Sequence, residues 1–228
     1  FQGVYPDQIY ATENYTILGI SGNTLQVSGS ASNSSGGLTV TNQFPAGTTV
    51  STSLTIIESA ASGVKILGLE LDGNAAENDL SFTRWEIHYD IHLAGDRALV
   101  RDCFVHDSQS EGIGIGGEGA AVESCRILRT AGNGIHLSGA RAANIINNVI
   151  KTTNLAGSRP GHEDGNISFS INYGRILVMG NHLEDGLAGI GGQNLLSYDR
   201  IIVANNTFTN FASVAFEGNF GVGVNRII

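Results

Sequence analysis

A glycine-flanked alternating pattern returns along this chain at a nearly constant interval, and this repeat constrains the fold more than any other feature. GIGIGG begins at Gly112, and GIHLSG begins 22 residues later at Gly134. Related segments give successive spacings of 22, 22, 32, 23 and 24 residues, counted from Asp90, Gly112, Gly134, Asn166, Gly189 and Ser213. A fixed period of this length is typical of solenoid proteins, in which each repeat packs on its neighbours.

A second apolar pattern keeps the same spacing. One column of aliphatic residues contains Val100, Val122, Ile145, Val178 and Val203. A further apolar column contains Val105, Ile127, Ile150, Leu183 and Phe208. Between them lies a column of Cys103, Cys125, Asn148, Asn181 and Asn206, whose asparagines we expect to form a hydrogen-bonded ladder. Two or three short strands per period, stacked in parallel about 4.8 Å apart, fit this pattern, whereas a leucine-rich repeat would need regular leucines and a helical half.

The repeat therefore predicts an all-β protein, a parallel β-helix (solenoid) with about 22–24 residues per coil. The segments IINNVI, VMGNHLED and VANNTFTN, with LELDGN upstream, resemble the right-handed parallel β-helix superfamily of pectin-lyase-like proteins. The resemblance covers roughly Leu54 to Phe220 and is nearest in style to phage tailspike depolymerases and other glycan-acting β-helix enzymes. It implies the right-handed fold, but not one activity, because the superfamily includes lyases, hydrolases, transferases and epimerases.

The N-terminal quarter differs from the rest of the chain. Residues 1–57 contain only two charged side chains, Asp7 and Glu13, together with segments that alternate in the manner of strands. We therefore expect a strand-rich cap or irregular first coils over residues 1–50, and the parallel β-helix over residues 51–228.

Charge and composition exclude several classes of partner. The net charge of −9, with only 12 Lys and Arg, would repel a phosphate backbone, so no nucleic-acid partner is expected. No run of about 18 apolar residues is present, so we expect no membrane span. The two cysteines lack the spacing of a zinc site, and no metal or cofactor is predicted. The acidic, lysine-poor, Ser/Thr/Asn/Gly-rich composition favours a secreted, cell-surface or virion-associated protein.

One outer face of the predicted β-helix carries mainly very small residues. We call this face the glycine strip and define it by Gly112, Gly114, Gly116 and Gly134. Such residues would let a sugar chain, or neighbouring subunits in a homotrimer, approach the backbone closely; alternatively, they only satisfy tight coil geometry. Substrate-binding candidates on or near the strip are Trp85, which either stacks on a sugar or fills the core, and His92, Ser138, Asn166, Ser168 and Gln193.

Carboxylates cluster at the turn that leads into the glycine strip. Asp107 and Glu111 lie on one coil, while Glu163 and Asp164 lie in the longer repeat, whose extra residues form an inserted loop. Coils two apart are separated by roughly 9.6 Å, close to the roughly 6.5–9.5 Å between the carboxyls of inverting glycosidases. His136, on the strip, could orient a carboxylate or accept a proton. The alternative is that these acids and histidines are ordinary polar surface.

These features favour a carbohydrate-active protein that cleaves an extracellular polysaccharide or oligosaccharide as a glycoside hydrolase or polysaccharide lyase. Glu111 and either Glu163 or Asp164 would be acid and base, assisted by Asp107 and His136. The alternative is a non-catalytic surface adhesin, fibre shaft or glycan-binding module, which the low content of charged residues, 14%, also fits.

Overall fold

The chain divides into two compact units, Phe1–Val50 and Ser51–Ile228. The computed structural model describes residues 16–21, 24–28, 31–32, 39–40, 55–75, 88–155, 164–170, 173–195, 197–220 and 225–227. In the first unit these residues form two antiparallel pairs, β1 (Thr16–Ser21) with β2 (Thr24–Ser28) and β3 (Ala31–Ser32) with β4 (Thr39–Val40).

The described residues of the second unit form parallel strands in a curled sheet, which we divide into three stacks. Stack 1 contains β5 (Ile57–Ser59), β8 (Tyr89–Leu93), β11 (Glu111–Glu118), β14 (Ile135–Arg141), β17 (Ile167–Ser170) and the C-terminal parts of β19 (His182–Leu195) and β21 (Thr207–Phe220). Stack 2 contains β6 (Lys65–Leu67), β9 (Leu99–Arg101), β12 (Ala121–Glu123), β15 (Asn144–Ile146), β18 (Tyr173–Met179), β20 (Ser197–Ala204) and β22 (Asn225–Ile227). Stack 3 contains β7 (Glu70–Asp72), β10 (Phe104–Ser108), β13 (Arg126–Thr130), β16 (Val149–Lys151) and the N-terminal parts of β19 and β21.

The strand register confirms the repeat that the sequence predicts. In stack 1, Ile113 pairs with Ile91 on one side and Ile135 on the other, and all three side chains are fully buried. Both aliphatic columns of the second pattern are also in register, and all their members belong to or pack against one continuous core. The parallel arrangement is compatible with a β-helix, and the described residues contain no α-helix.

The last repeat has a different register from the predicted one. The alternating segment after Ser213 suggests that Gly191 lies beside Ala215, but Gly191 pairs with Glu217. The strand pair is irregular between Gly186 and Ala188, where the partner strand contributes one additional residue, and this accounts for one of the two residues by which the register differs; the other is already present before it, where His182 pairs with Thr207. A bulge of this kind changes the register without interrupting the strand, so equal spacing along the chain does not reveal it.

In the repeats that the structure describes, two corners use a residue with positive φ. Between stacks 2 and 3 the φ angles are 53–57° at Asp102, Ser124, Asn147 and Asn205. Between stacks 3 and 1 they are 51–57° at Asp107, Arg129, Thr152, Asp185 and Asn210. Asp and Asn tolerate this left-handed conformation better than most residues because their short polar side chains bond the local backbone. Each such residue turns the chain from one stack to the next.

The predicted asparagine ladder is confirmed. Asn148 Oδ1 accepts from the backbone N of Cys125 at 2.9 Å, and Asn181 Oδ1 accepts from the backbone N and Nδ2 of Asn148 at 2.9 and 3.0 Å. Asn206 Oδ1 in turn accepts from both nitrogens of Asn181. Cys103 occupies the same column, and both cysteines are buried free thiols. Burial raises the pKa of the Cys125 thiol to about 12, so it remains protonated and unreactive.

Among the described residues, no helix has the length and apolar character required to cross a membrane.

Candidate functional site

The outward orientation predicted for Gly112, Gly134 and Asn166 is wrong. A Cβ on Gly112 would lie 3.0 Å from Cγ2 of the core residue Ile127, and one on Gly134 would lie 2.3 Å from Cγ2 of Ile150. Asn166 is fully buried, and its Nδ2 donates to backbone carbonyls at 2.8 and 3.1 Å. At Gly112 the simple alternation of a strand does not hold, because the adjacent backbone nitrogens of Gly112 and Ile113 both donate to the next repeat, to the carbonyls of Asn133 and Gly134.

The centre of the glycine strip is covered by an aromatic ring. A Cβ on Gly114 would lie 2.4 Å from Cε1 of Tyr89, so the glycine leaves the space that this ring occupies. The Tyr89 ring stacks on His92 with 4.5 Å between centroids, and its hydroxyl is hydrogen-bonded to His136 Nδ1 at 2.9 Å. His136 Nε2 is hydrogen-bonded to Ser170 Oγ at 2.7 Å. The strip is therefore a row of linked polar and aromatic side chains and not a bare groove.

The other substrate-binding candidates are distributed differently. Ser138 is exposed on β14, whereas Ser168 is only 3% exposed. The backbone of Gln193 pairs with that of Ser170, but its side chain lies outside the described residues, and Trp85 also lies outside them. Their role in binding stays a prediction.

The predicted catalytic residue Glu111 is fully buried and accepts two hydrogen bonds from one asparagine. Asn133 donates from its backbone N to Oε2 at 2.7 Å and from Nδ2 to Oε1 at 3.3 Å. The Oδ1 atom of Asn133 accepts from Gly165 N at 2.7 Å and from Asn154 Nδ2 at 3.2 Å. Asn133 thus links Glu111 to the chain beside Asp164, which is 8% exposed. The other candidate acid, Glu163, lies outside the described residues.

Asp107 takes part in a charged cluster on stack 3. Arg129 donates to both of its carboxylate oxygens at 2.6 Å, and His106 Nδ1 lies 2.7 Å from Oδ2. The hydrogen bonds from Arg129 and His106 lower the pKa of Asp107 to about 2, so this group cannot donate a proton near neutral pH. Ligand atoms of Asp72, His106 and Asp107 lie within 4.8 Å of one another, as a metal site requires, but Arg129 already provides Asp107 with a cation.

A small cavity lies where stacks 1 and 3 meet. It encloses only about 30 Å³, and the described residues that line it are Ile56, Gly73, His88, Tyr89, Asp90, Gln109, Ser110 and Glu111. Asp90 is 5% exposed, and its Oδ2 accepts a hydrogen bond from Ser108 Oγ. Within the described residues, no donor contacts its other oxygen, Oδ1. A Cβ on Gly73 would lie 2.9 Å from this oxygen, so the glycine leaves room around it.

The environment of Asp90 differs sharply from that of Asp107. Burial raises the pKa of Asp90 from its ordinary value of 3.8 to about 7, although the hydrogen bond from Ser108 and the charge of His106 act in the opposite direction. Asp90 is therefore a carboxyl that retains a proton close to neutral pH. Asp90 was not among the predicted site residues, although it is the one acidic residue in its column of Gly112, Gly134, Asn166 and Gly189.

The fold and the site define a class, an all-β protein of parallel strands with a surface cavity lined by two carboxyl groups. No protein-family model, curated protein or solved structure matches this chain. A function is therefore supported here by the chemistry of the residues themselves.

Proposed function

We propose that this chain is a carbohydrate-active, right-handed parallel β-helix that hydrolyses an extracellular polysaccharide, with Asp90 as the general acid. The observation that carries the proposal is a buried carboxyl with a pKa of about 7 in the wall of a cavity. A general acid has to hold its proton near the working pH and contact the substrate. Glycosidases obtain such an acid by placing one carboxyl in a poorly solvated environment.

The pairing pattern supports the β-helix. Each strand of a stack pairs in parallel with the equivalent strand of the next repeat, after the chain has passed through the other two stacks. Crossover connections between parallel strands of one sheet are right-handed in the great majority of proteins. A right-handed coil is therefore the hand that we assign to this chain.

Two further carboxyls complete the proposed site. Glu111 lines the same cavity, and β11 lies directly beside β8, which carries Asp90. Because Asn133 donates to both of its oxygens, we assign Glu111 the role of a rigidly held carboxyl that stabilises an oxocarbenium-like transition state. Asp164, beside Gly165, which Asn133 also binds, remains our candidate for the base.

Replacement of single carboxyls tests this assignment. We expect Asp90→Asn to lower the rate of reducing-end release from a cleaved polysaccharide by at least about 100-fold, since general acids contribute factors of this order. The matched control is Glu123→Gln on stack 2, which removes a half-buried carboxylate outside the cavity and should leave the rate unchanged. Full activity of a folded Asp90→Asn variant would refute the role of Asp90.

A non-catalytic glycan-binding protein is the second candidate. The buried hydrogen bonds of Glu111 and the position of the Tyr89 ring over Gly114 favour this candidate. Both are contacts that stabilise a fold, so neither requires a catalytic role for these residues. Binding to a glycan without the appearance of new reducing ends, in the wild-type protein, would support this candidate against the hydrolase.

A further inference from the structure

Ser170 and His136 are hydrogen-bonded on the outer face of stack 1, and we propose that they are the nucleophile and base of an esterase that removes short acyl groups. The Oγ atom of Ser170 lies 2.7 Å from Nε2 of His136. This is within the range of about 2.6–3.2 Å that is typical of an activated nucleophile and its base. Phe169 is fully buried in the core, so the alternation of β17 directs Ser170 outward, where it is only partly buried and open to a substrate.

A tyrosine from two repeats earlier orients the histidine. Tyr89 is on β8 and His136 is on β14, with β11 between them. Two strand spacings amount to roughly 9.6 Å, and the tyrosine side chain crosses β11 at Gly114, which leaves the space that the ring occupies. The hydroxyl of Tyr89 lies 2.9 Å from His136 Nδ1, and its ring stacks on His92. The imidazole is therefore held with Nε2 directed at Ser170.

The contact with Tyr89 determines which ring nitrogen of His136 accepts a proton. A phenol oxygen can accept a hydrogen bond as well as donate one. In the catalytic arrangement the His136 proton is on Nδ1, which donates to the Tyr89 oxygen, and Nε2 accepts from the Ser170 hydroxyl. This is the order of nucleophile, base and orienting group in hydrolytic triads. A neutral phenol stabilises an imidazolium less than a carboxylate does, so we expect slower turnover than in a triad with an acidic third group.

The reaction consumes only an ester and water. Ser170 Oγ forms a bond to the acyl carbon while its proton passes to His136 Nε2, and this proton then goes to the alcohol oxygen as the ester C–O bond breaks. A water molecule next attacks the acyl carbon of the acyl-serine and gives a proton to Nε2. The bond from that carbon to Ser170 Oγ breaks, and Oγ takes the proton back from Nε2. The products are an alcohol and a carboxylic acid.

The described neighbours of Ser170 favour a short ester. Ser138 pairs with Ser170 in register and is exposed, so the two hydroxyls lie on one face. The Ser138 hydroxyl can donate to the carbonyl oxygen, which becomes negative as Ser170 attacks. Ser168 pairs in register with His136 and adds a further hydroxyl. These neighbours provide polar groups and not an apolar surface for a long acyl chain, so the expected substrate is an acetyl ester, such as an O-acetylated sugar.

Covalent labelling of the wild-type chain tests the proposal without any variant. A fluorophosphonate reacts rapidly with a serine whose hydroxyl is activated by a neighbouring base. We expect a single adduct per chain, located at Ser170 by mass spectrometry of peptides. No adduct, or an adduct at another serine only, would overturn the proposal.

Hydrolysis of p-nitrophenyl acetate measures the rate. Ser170→Ala should lower kcat/KM by at least about 100-fold, whereas the control Ser62→Ala, at an exposed turn, should leave it unchanged. Tyr89→Phe keeps the ring and removes the hydroxyl, so it should lower kcat at least about tenfold with little change in KM. Equal rates for the wild type and a folded Ser170→Ala variant would contradict the role of Ser170.

Nitrogen NMR of the His136 ring gives a readout that a purely structural role would not require. In the neutral imidazole we expect Nδ1 to be protonated and Nε2 to be unprotonated, and the opposite pattern would overturn the role of His136 as base. None of these measurements uses a polysaccharide. Failure of the esterase therefore leaves the proposed glycan hydrolase standing, and failure of glycan cleavage leaves the esterase standing.

Discussion

Asp90 and Asp107 lie 17 residues apart in the chain and yet have opposite ionisation behaviour. Asp107 is stabilised as a carboxylate by Arg129, and Asp90 is disfavoured as a carboxylate by burial. The sequence shows that both are acidic residues near a turn. It does not show that the guanidinium of Arg129 bonds Asp107, or that Asp90 is buried. Those facts depend on contacts between repeats, so the acid of the candidate site could not be chosen from the sequence.

The raised pKa of Asp90 predicts a pH-dependent loss of stability. The folded protein holds this proton more tightly than the unfolded chain, so the free energy of unfolding should fall as the pH rises from about 4 to about 7. A pKa shift of this size corresponds to about 4 kcal/mol. Chemical denaturation of wild type and Asp90→Asn across pH 4–8 measures it, since the variant lacks this titration. A constant difference between the two proteins would contradict the prediction.

At the scale of strands and corners, the sequence predicted most of the register between paired strands. It predicted little about which residues face outward. The columns through Val122 and Ile127 are correct because buried aliphatic residues must recur on one face. The orientation of Gly112 was wrong because the strand alternation is broken there, where the nitrogens of both Gly112 and Ile113 donate to the next repeat. A glycine carries no side chain to indicate its direction, so the sequence alone could not distinguish a groove from a crowded corner.

The asparagine ladder should contribute strongly to stability. In Asn148→Ala, the buried backbone N of Cys125 and the carbonyl of Val122 lose their partner at this position. We expect the free energy of unfolding to fall by about 2–4 kcal/mol, because unpaired buried polar groups cost about 1–3 kcal/mol each. The control is Asn147→Gly at the adjacent exposed site, where a φ of 57° suits glycine. Equal stabilities of the two variants in denaturant titrations would contradict a structural role for the ladder.

The contact between Gly114 and Tyr89 predicts a coupled effect. The added methyl group in Gly114→Ala would overlap the tyrosine ring and should destabilise the protein by about 1–3 kcal/mol. In a Tyr89→Ala background the same change should cost much less, because the ring is absent. A double-mutant cycle measured by thermal unfolding gives the coupling energy. Additive effects would show that the ring does not lie over this glycine.

At the scale of the whole second unit, the described strands do not all pair with the same number of neighbouring strands. Strands such as β11, β12 and β13 pair with a parallel strand on each side, whereas β5, β6 and β7 pair on one side only within the described residues. Unfolding from an end breaks fewer contacts than opening in the middle. The stability of this unit should therefore be greatest at its centre.

Native-state hydrogen exchange measures this gradient. We expect the amides of Ile113, Ile127 and Val122 to exchange most slowly, through global unfolding, and those of Ile57 and Ile66 to exchange roughly 100-fold faster through local opening. Uniform exchange rates across these strands would instead indicate a single cooperative unit without fraying.

The amide oxygen of Asn133 contacts both Asn154 and Gly165, and these residues lie at the two ends of the inserted loop in the longest repeat. The side chain of Asn133 therefore binds both ends of the intervening segment. Segments of other lengths could be grafted between these anchors while the flanking strands keep their positions. Related chains could thus evolve new recognition properties by exchanging a single insertion on a constant framework.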